Sequence, residues 1–437
     1  MSDLAERFHD APLDSDLTAA LAAHGLTAAR VDDADREQVD RWLGVLGRGF
    51  LDGEPSDARR EAFFDRTAYR RKIGVYDTSS PRPDDPVATF ASWDAELTVP
   101  GGRVPACAIS SVTVSPTHRR RGILRALMTG ELRTAAAQGF AVAALTVSES
   151  TIYGRFGFGP AAAAADWELS VRRARWIGRH APGRVDFIDR DTGRVVAERL
   201  HDHARATRPG ELDMPGGHWD RSFGLGLDAD KPELSRVVQY ASPTGEVEGV
   251  ALYTVTENHD DATESVLDLK VLVTATDDAY AGLWEFFLSM DLIGTVRAAG
   301  LALDEPLWWM IADQRAAKIT IRDHHYLRIL DVPAALSARR YDVADAVFLD
   351  VADPLEIAGG AFVLTTDVDG AGFVEVVDEA PLGIPSVRLG VVELSAMLLG
   401  GVSAVTLARA GRIETDDAER VARLLQTVAA PQLSFEY

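Results

Sequence analysis

The sequence predicts an α+β protein in three blocks. Short strands and amphipathic helices follow the order β-α-α-β-β-β-α-β up to about residue 175; a similar order then returns, and the part beyond about residue 322 is built differently. Its 437 residues amount to about three times the ~150-residue prior for one domain. Residues 1–25 are small, polar and acidic and read as an extension ahead of the first core. The first block, 26–175, opens with a strand near Thr27 to Val31. A helix from Asp35 to Leu51 follows, with Val39, Trp42, Leu43, Leu46 and Phe50 at helical spacing, and then a helix from Asp57 to Lys72. Ile73 to Tyr76 reads as a strand, and Thr78 to Pro86 as a turn-rich loop whose three prolines deny it regular pairing. Strands at Val87 to Thr98 and Val104 to Val114 lead into a helix of Arg120 to Gln138, stopped by Gly139, and a buried strand of Ala141 to Val147. A glycine-rich turn at Tyr153 to Gly159 precedes a strand through Trp167 to Val171. The second block, 176–321, repeats the pattern with strands near 185–188, 236–240, 249–255 and 265–273 and helices near 193–208 and 277–290. The third, 322–437, places strands near 326–332, 346–351, 361–366 and 372–377 and helices near 333–339, 392–399 and 416–425. It closes on Gln432 to Tyr437, apolar at every second position like a strand with one buried face.

Charge narrows the function. Forty-five Lys and Arg against 67 Asp and Glu leave a net charge of −22, which argues against nucleic acid or an anionic membrane and favours cationic ligands. The one cysteine, Cys107, excludes an intrachain disulfide framework and a thiolate zinc site, so no metal is expected. No apolar run reaches the ~18–20 residues of a membrane helix. The start, Met1-Ser-Asp-Leu-Ala-Glu6, lacks the order of a secretory signal. Cytoplasmic residence is expected, with secretion by another route left open.

The most informative stretch is Ile109 to Met128. An alternating strand runs into Pro116, and a basic turn with Gly122 opens an amphipathic helix. Free amides of a helix's first turn and the positive end of its dipole bind phosphate oxygens, and a glycine lets a diphosphate approach the backbone. Arg119, Arg120, Arg121, Arg125 and Arg133 stand against only Glu131, which calls for an anionic ligand in an acidic protein. The Gly-Lys-Ser/Thr of a nucleotide P-loop is missing, as is a dinucleotide glycine triplet.

Strand, Arg119-x-x-Gly122, helix resembles the acetyl-coenzyme A loop of Gcn5-related N-acetyltransferases (GNATs), although Leu124 stands where that motif usually carries Gly or Ala. The segments Val112-Thr-Val-Ser-Pro-Thr-His-Arg-Arg-Arg-Gly122, Ile152-Tyr-Gly-Arg-Phe-Gly-Phe-Gly-Pro160, Val332-Pro-Ala-Ala-Leu336 and Phe435-Glu-Tyr437 are together similar to the enhanced intracellular survival (Eis) acetyltransferases of actinobacteria. The resemblance covers about residues 26–437. It implies two tandem GNAT folds, the second without cofactor, then a sterol-carrier-like domain. It also implies a homohexamer, acetyl-CoA as cosubstrate, and amines of aminoglycosides or peptidyl lysines as acceptors.

By the same resemblance, amides around Val112, Thr113 and Val114 hold the acetyl and pantetheine arm. Those of Arg120, Arg121, Gly122, Ile123, Leu124 and Arg125 cradle the diphosphate, and Ser148 and Glu149 flank the thioester. Tyr153 matches the general acid, and a phenol of pKa about 10 holds its proton at neutral pH. The general base is expected to be the terminal carboxylate of Tyr437. Its intrinsic pKa near 3.5 keeps it ionised, and the alternation of Leu433, Phe435 and Tyr437 pins it. Asp52 and Glu436 are the expected carboxylates of the amine pocket, and Ser111 replaces an aromatic found in the family. Two other features carry no site. Arg297 to Ala302 fits the loop pattern as text but follows a helix and reads as strand. His201, His203, His324 and His325 have no third ligand at a recognisable spacing and are expected at the surface. Two alternatives to small-molecule acetylation stay open: acetylation of lysines in a partner protein, and binding of a hydrophobic ligand by the C-terminal block without catalysis.

Overall fold

A computed structural model describes residues Asp3–Tyr437; Met1 and Ser2 of the expected extension lie outside the described residues. The chain forms two units, one of residues 3–162, 325–428 and Tyr437, the other of residues 163–324 and 429–436.

The first unit begins with α1 (Asp3–Asp10) and α2 (Ser15–Ala22), then β1 (Thr27–Arg30), α3 (Arg36–Gly49), α4 (Asp57–Arg66) and β2 (Arg71–Tyr76). It continues with β3 (Ala88–Val99), β4 (Gly102–Val114), α5 (Ile123–Gln138), β5 (Val142–Thr146) and the single turn α6 (Ser150–Tyr153). Asp14, Asp35 and Ser56 accept first-turn amides and so start α2, α3 and α4, while Gly139 in the left-handed region stops α5. The strands run β1-β2-β3-β4-β5 across the sheet, all antiparallel except β4 on β5.

Two expectations are corrected here. The N-terminal segment is not an extension: Phe8, Leu17 and Leu21 are buried in the same apolar cluster as Phe90, Leu127 and Leu145. The side chain of Leu17 lies so close to Gly130 that a Cβ there would meet it at 2.7 Å, which is why α5 carries a glycine at that face. The helix expected to reach Lys72 ends at Arg66. Arg71 and Lys72 enter β2 and are buried with partners, Arg71 against Glu131 at 3.0 Å and Lys72 against Asp33 and the Thr67 carbonyl.

The chain passes along β6 (Gly159–Ser170) into the second unit, which holds α7 (Val171–Ala174), β7 (Arg184–Ile188), α8 (Arg190–Ala204), α9 (Gly216–Ser222), β8 (Ser235–Ala241) and β9 (Val247–Thr256). After these come β10 (Ser265–Thr274), α10 (Asp277–Ser289), β11 (Ile293–Leu301), α11 (Leu307–Met310) and the start of β12 (Ala317–Ile329). Its sheet order β7-β8-β9-β10-β11 repeats that of β1 to β5, with Tyr240, Tyr253, Trp284 and Phe287 in its core.

Back in the first unit, β12 pairs with β5 through His325 to Ile329. The last block comprises α12 (Val332–Ser337), β13 (Ala346–Ala352), β14 (Gly360–Thr366), β15 (Gly372–Val376), β16 (Ser386–Gly390), α13 (Val391–Met397), α14 (Ala404–Arg409), β17 (Ile413–Thr415) and α15 (Ala418–Leu425). A five-stranded sheet in the order β15-β14-β13-β16-β17 forms its centre. The short β16, α14 and β17 escaped the periodicity reading. The tail is not a strand: Leu433 is buried and Phe435 and Tyr437 half-buried, but residues 426–437 join no ladder. In the second unit, Gln432 N–H bonds the Pro209 carbonyl and Ser434 N–H bonds Glu211 instead.

Candidate functional site

β4 and β5 pair only from Ala106–Val142 to Ala108–Ala144, so beyond Ala108 the two parallel strands part. On its other side, β4 carries an extra residue: Thr89 faces Thr113 and Ala91 faces Ser110, leaving Ser111 and Val112 opposite Phe90 alone. Ser111 takes up the distortion with φ of 56°, uncommon for a residue with a side chain. Its carbonyl is held by the Thr89 hydroxyl at 2.8 Å. Such strain persists where surrounding structure enforces it, and here it falls in the part of β4 that no longer pairs with β5. Val112 and Val114 pack their side chains on the core, and Thr113 is buried.

The loop after β4 ends at Gly122, whose φ of 73° and open surroundings suit only glycine at no cost. No side chain caps α5 and no acid stands in its first turn. Arg120 shares the left-handed conformation, φ 62°. Arg119, Arg120, Arg121 and Arg125 are exposed, whereas Ile123 is buried and anchors the turn. Beside it opens a cavity of about 390 Å³ whose lining includes Arg121, Gly122, Arg125 and Arg133. An uncapped helix start ringed by guanidinium groups is an anion site by charge and by unmet amides. The loop itself is pinned by Asp77, which sequence reading missed. Asp77 bonds Ser79 N at 2.9 Å and His118 Nε2 at 3.1 Å, with Arg121 at 3.5 Å. The bonds from Ser79 and then His118 hold its carboxyl at about 2.

Ser148 and Glu149 follow β5 and are exposed. Tyr153 ends α6 and is buried, its ring edge-on to Phe158 at 6.1 Å. Burial raises the phenol's pKa, with Glu149 adding and a hydrogen bond to Ser148 opposing. Tyr437 belongs to this same unit. The Thr146 hydroxyl, at the end of β5, donates to its main-chain oxygen at 3.0 Å. Its phenol reaches His325 Nε2 at 3.4 Å, and its ring stands edge-on to Trp93 at 5.2 Å. Thr146 and Trp93 were not singled out from the sequence, because nothing local marks them, and His325 was read only as a surface histidine.

Asp52 sits at the exposed end of the α3–α4 connection, paired with Arg59 at 3.2 Å. Glu436 lies in the second unit, paired with Arg322 at 3.0 Å and lining a cavity of about 360 Å³ with Trp219, Lys270, His324 and Phe435. Of the histidines expected at the surface only His203 is exposed. His201, His324 and His325 are buried instead, because an imidazole ring packs much as an aromatic one does: His201 lies edge-on to Trp219, and Arg322 donates to His324. Among the described residues no three of His, Cys, Asp and Glu converge as metal ligands, and no helix is long and apolar enough to cross a membrane. Cys107 is fully buried, and burial pushes its thiol up, away from reactivity.

In the second unit the corresponding helix start is the chemical opposite. Lys270 is the extra residue of a bulge in β10, so the strand pattern survives. The first turn of α10, however, carries Asp277 and Asp278 and is capped by the Thr276 hydroxyl.

Residues 30–161 and 210–329 each match an acetyltransferase (GNAT) domain, and residues 332–434 match a sterol carrier protein domain. Fold and site thus define an N-acetyltransferase with two tandem GNAT folds followed by a sterol-carrier-like domain. An uncharacterised N-acetyltransferase of Streptomyces avermitilis is 38% identical over 413 residues, 91% of this chain and 96% of that protein. The N-acetyltransferase Eis of Mycobacterium tuberculosis is 34% identical over 366 residues, 79% of this chain and 84% of that one. The crystal structure of Eis1 from Mycobacterium abscessus superposes with a TM-score of 0.78 at 27% identity, covering 94% of this chain and all of that one. The chain belongs to the Eis-type N-acetyltransferases.

Proposed function

We propose that this enzyme acetylates amines of aminoglycoside-like polycations, with Tyr437 as general base through its terminal carboxylate and Tyr153 as general acid. Acetyl-CoA supplies the acetyl group as a thioester. The residues suited to hold it are the bulged backbone of Val112, Thr113 and Val114, the uncapped turn of Arg120, Arg121, Gly122, Ile123, Leu124 and Arg125, and Ser148 and Glu149 at the mouth of the strand opening. An ammonium has no lone pair, so a base must first take its proton; a departing thiolate benefits from a proton given back. A carboxylate is ionised at neutral pH and a buried phenol is protonated, which divides the two tasks. The observation that carries the reading is the Tyr437 main-chain oxygen fixed by Thr146 at 3.0 Å, at the end of the strand that parts from β4.

The charge of −22 favours a polycationic acceptor. Asp52 is the candidate amine anchor, since its exposed Arg59 partner exchanges readily with a ligand cation, and Glu436 is the second. Ser111, with its short side chain in the bulge, leaves the wall of the amine pocket open. The six-subunit assembly and the cytoplasmic location belong to the same proposal.

The test is a thiol-release assay on three chains: unmodified, extended beyond Tyr437, and lacking it. The unmodified chain turns over kanamycin-type amines faster than lysine peptides. Both altered chains lose ~10²–10⁴ in rate, the usual cost of a lost general base, while keeping their circular dichroism. Full activity of the extended chain would remove the carboxylate from the mechanism.

A further inference from the structure

We infer that Thr146 is a positioning residue for the terminal carboxylate of Tyr437. The inference rests on reading that carboxylate as the general base and explains how a chain end holds one orientation. Termini fray, and a terminal carboxylate turns freely about its last bond. Here the last residue is tied at several points. The Thr146 hydroxyl oxygen lies 3.0 Å from the Tyr437 main-chain oxygen and 3.4 Å from the Tyr437 nitrogen. A hydroxyl has one proton to give and lone pairs to receive with, and an amide N–H only donates. The amide therefore uses the hydroxyl as acceptor, and the hydroxyl proton is directed to the carboxylate. The bond fixes how the carboxylate is turned about that last bond.

Thr146 is itself firmly placed. It is the last residue of β5 and pairs across to His325 in β12, so its hydroxyl rides on a paired strand while β4 has already turned away. The side chain of Tyr437 is held separately by His325 and Trp93. Among the titratable groups about this residue are His325 from β12, the Cys107 thiol of β4, and Arg70 and Tyr69, both packed on the Trp93 ring. A hydrogen bond to the ionised form favours that form, so Thr146 keeps the base deprotonated to lower pH.

Thr146→Val removes the hydroxyl at nearly constant volume, and Thr146→Ser retains it. The valine variant is expected to lose about tenfold to a hundredfold in kcat, the order of effect for a lost bond to a charged group, with KM for acetyl-CoA unchanged. The acidic limb of its kcat profile moves to higher pH, and the serine variant stays near the unmodified enzyme in both. Should the valine chain not fold, Thr146→Ala removes the same hydroxyl without new bulk. Unchanged kcat and limb in a folded variant without the hydroxyl overturns the inference, as does a serine variant that falls as far as valine, which would mark a packing effect. A dead extension beyond Tyr437 beside a fully active Thr146→Val sinks this inference alone; an active extension sinks the base itself.

Discussion

A phenol serves a departing thiolate only while it holds its own proton, and the surroundings of Tyr153 keep it there. Burial is the largest influence, raising the pKa above 10.0, with Glu149 in support and the Ser148 bond opposing. The sign follows: the neutral form is favoured, so its contribution is whole below the ordinary phenol value and is lost only as pH climbs through the raised one. Tyr153→Phe should lower kcat by ~10²–10⁴ at neutral pH and abolish the alkaline limb, which in the unmodified enzyme stands above 10.0. A pH–rate series on both enzymes checks this, and a limb near 8 in the unmodified enzyme would point to another acid. The place of Tyr153 was legible in its motif. The neighbours of Tyr437 were not, since Thr146 lies 291 positions and His325 112 positions away along the chain.

At the scale of elements, β2 shows what periodicity misses. Arg71 is among the most buried side chains, yet it reads from the sequence as the end of a helix. Its guanidinium donates to Glu131 of α5 at 3.0 and 3.3 Å and to the carbonyls of His9, Ala11 and Pro12. One cation thus ties β2, α5 and the α1–α2 connection together, and for that reason the acidic N-terminal segment is core rather than appendage. Glu131 is fully buried, and desolvation pushes its carboxyl upward against the pull of Arg71. Removing one partner of a buried pair leaves the other charge uncompensated, at a typical cost of 3–5 kcal/mol. Arg71→Met should therefore destabilise the first unit by about that much in urea unfolding. Arg71→Met with Glu131→Leu should recover part of the loss, because no buried charge is then left alone while the His9, Ala11 and Pro12 carbonyls still lack their donor. A single variant within ~1 kcal/mol of the unmodified chain, the range of an exposed pair, would contradict the burial argument. A helix closed by a stop glycine, such as α5, was legible to within a turn. The cations of β2 were not, because a buried charge can be told from an exposed one only once its distant partner is in view.

At the scale of the whole molecule, the duplication raises the question of how many acetyl-CoA molecules one chain takes up. Both units keep the order of strands and helices, and both carry an extra residue in the strand before the critical helix, Ser111 and Val112 facing one partner in β4 and Lys270 in β10. Most of the element order was legible in the sequence for both blocks, since it follows from hydrophobic period, but α1, α2 and the short α9 were not. What separates the copies is local chemistry at one helix start. A diphosphate needs free amides, a positive field and backbone without side-chain obstruction. The start of α5 has a left-handed glycine, no capping side chain and no acid. That of α10 spends the Ala279 amide on Thr276 and carries Asp277 and Asp278 in its first turn. Two carboxylates within one turn of an anion repel it, while the helix dipole they stabilise leaves little field to spare. Titration calorimetry should therefore give one acetyl-CoA per chain, and Gly122→Asp, which puts a carboxylate on the first start, should lower that number toward zero. The variant Asp277→Gly with Asp278→Gly need not create a second site, because the Thr276 cap remains. Two sites in the unmodified chain, or one site that survives Gly122→Asp unchanged, would move the cofactor away from α5 and undo the division of labour between the two copies.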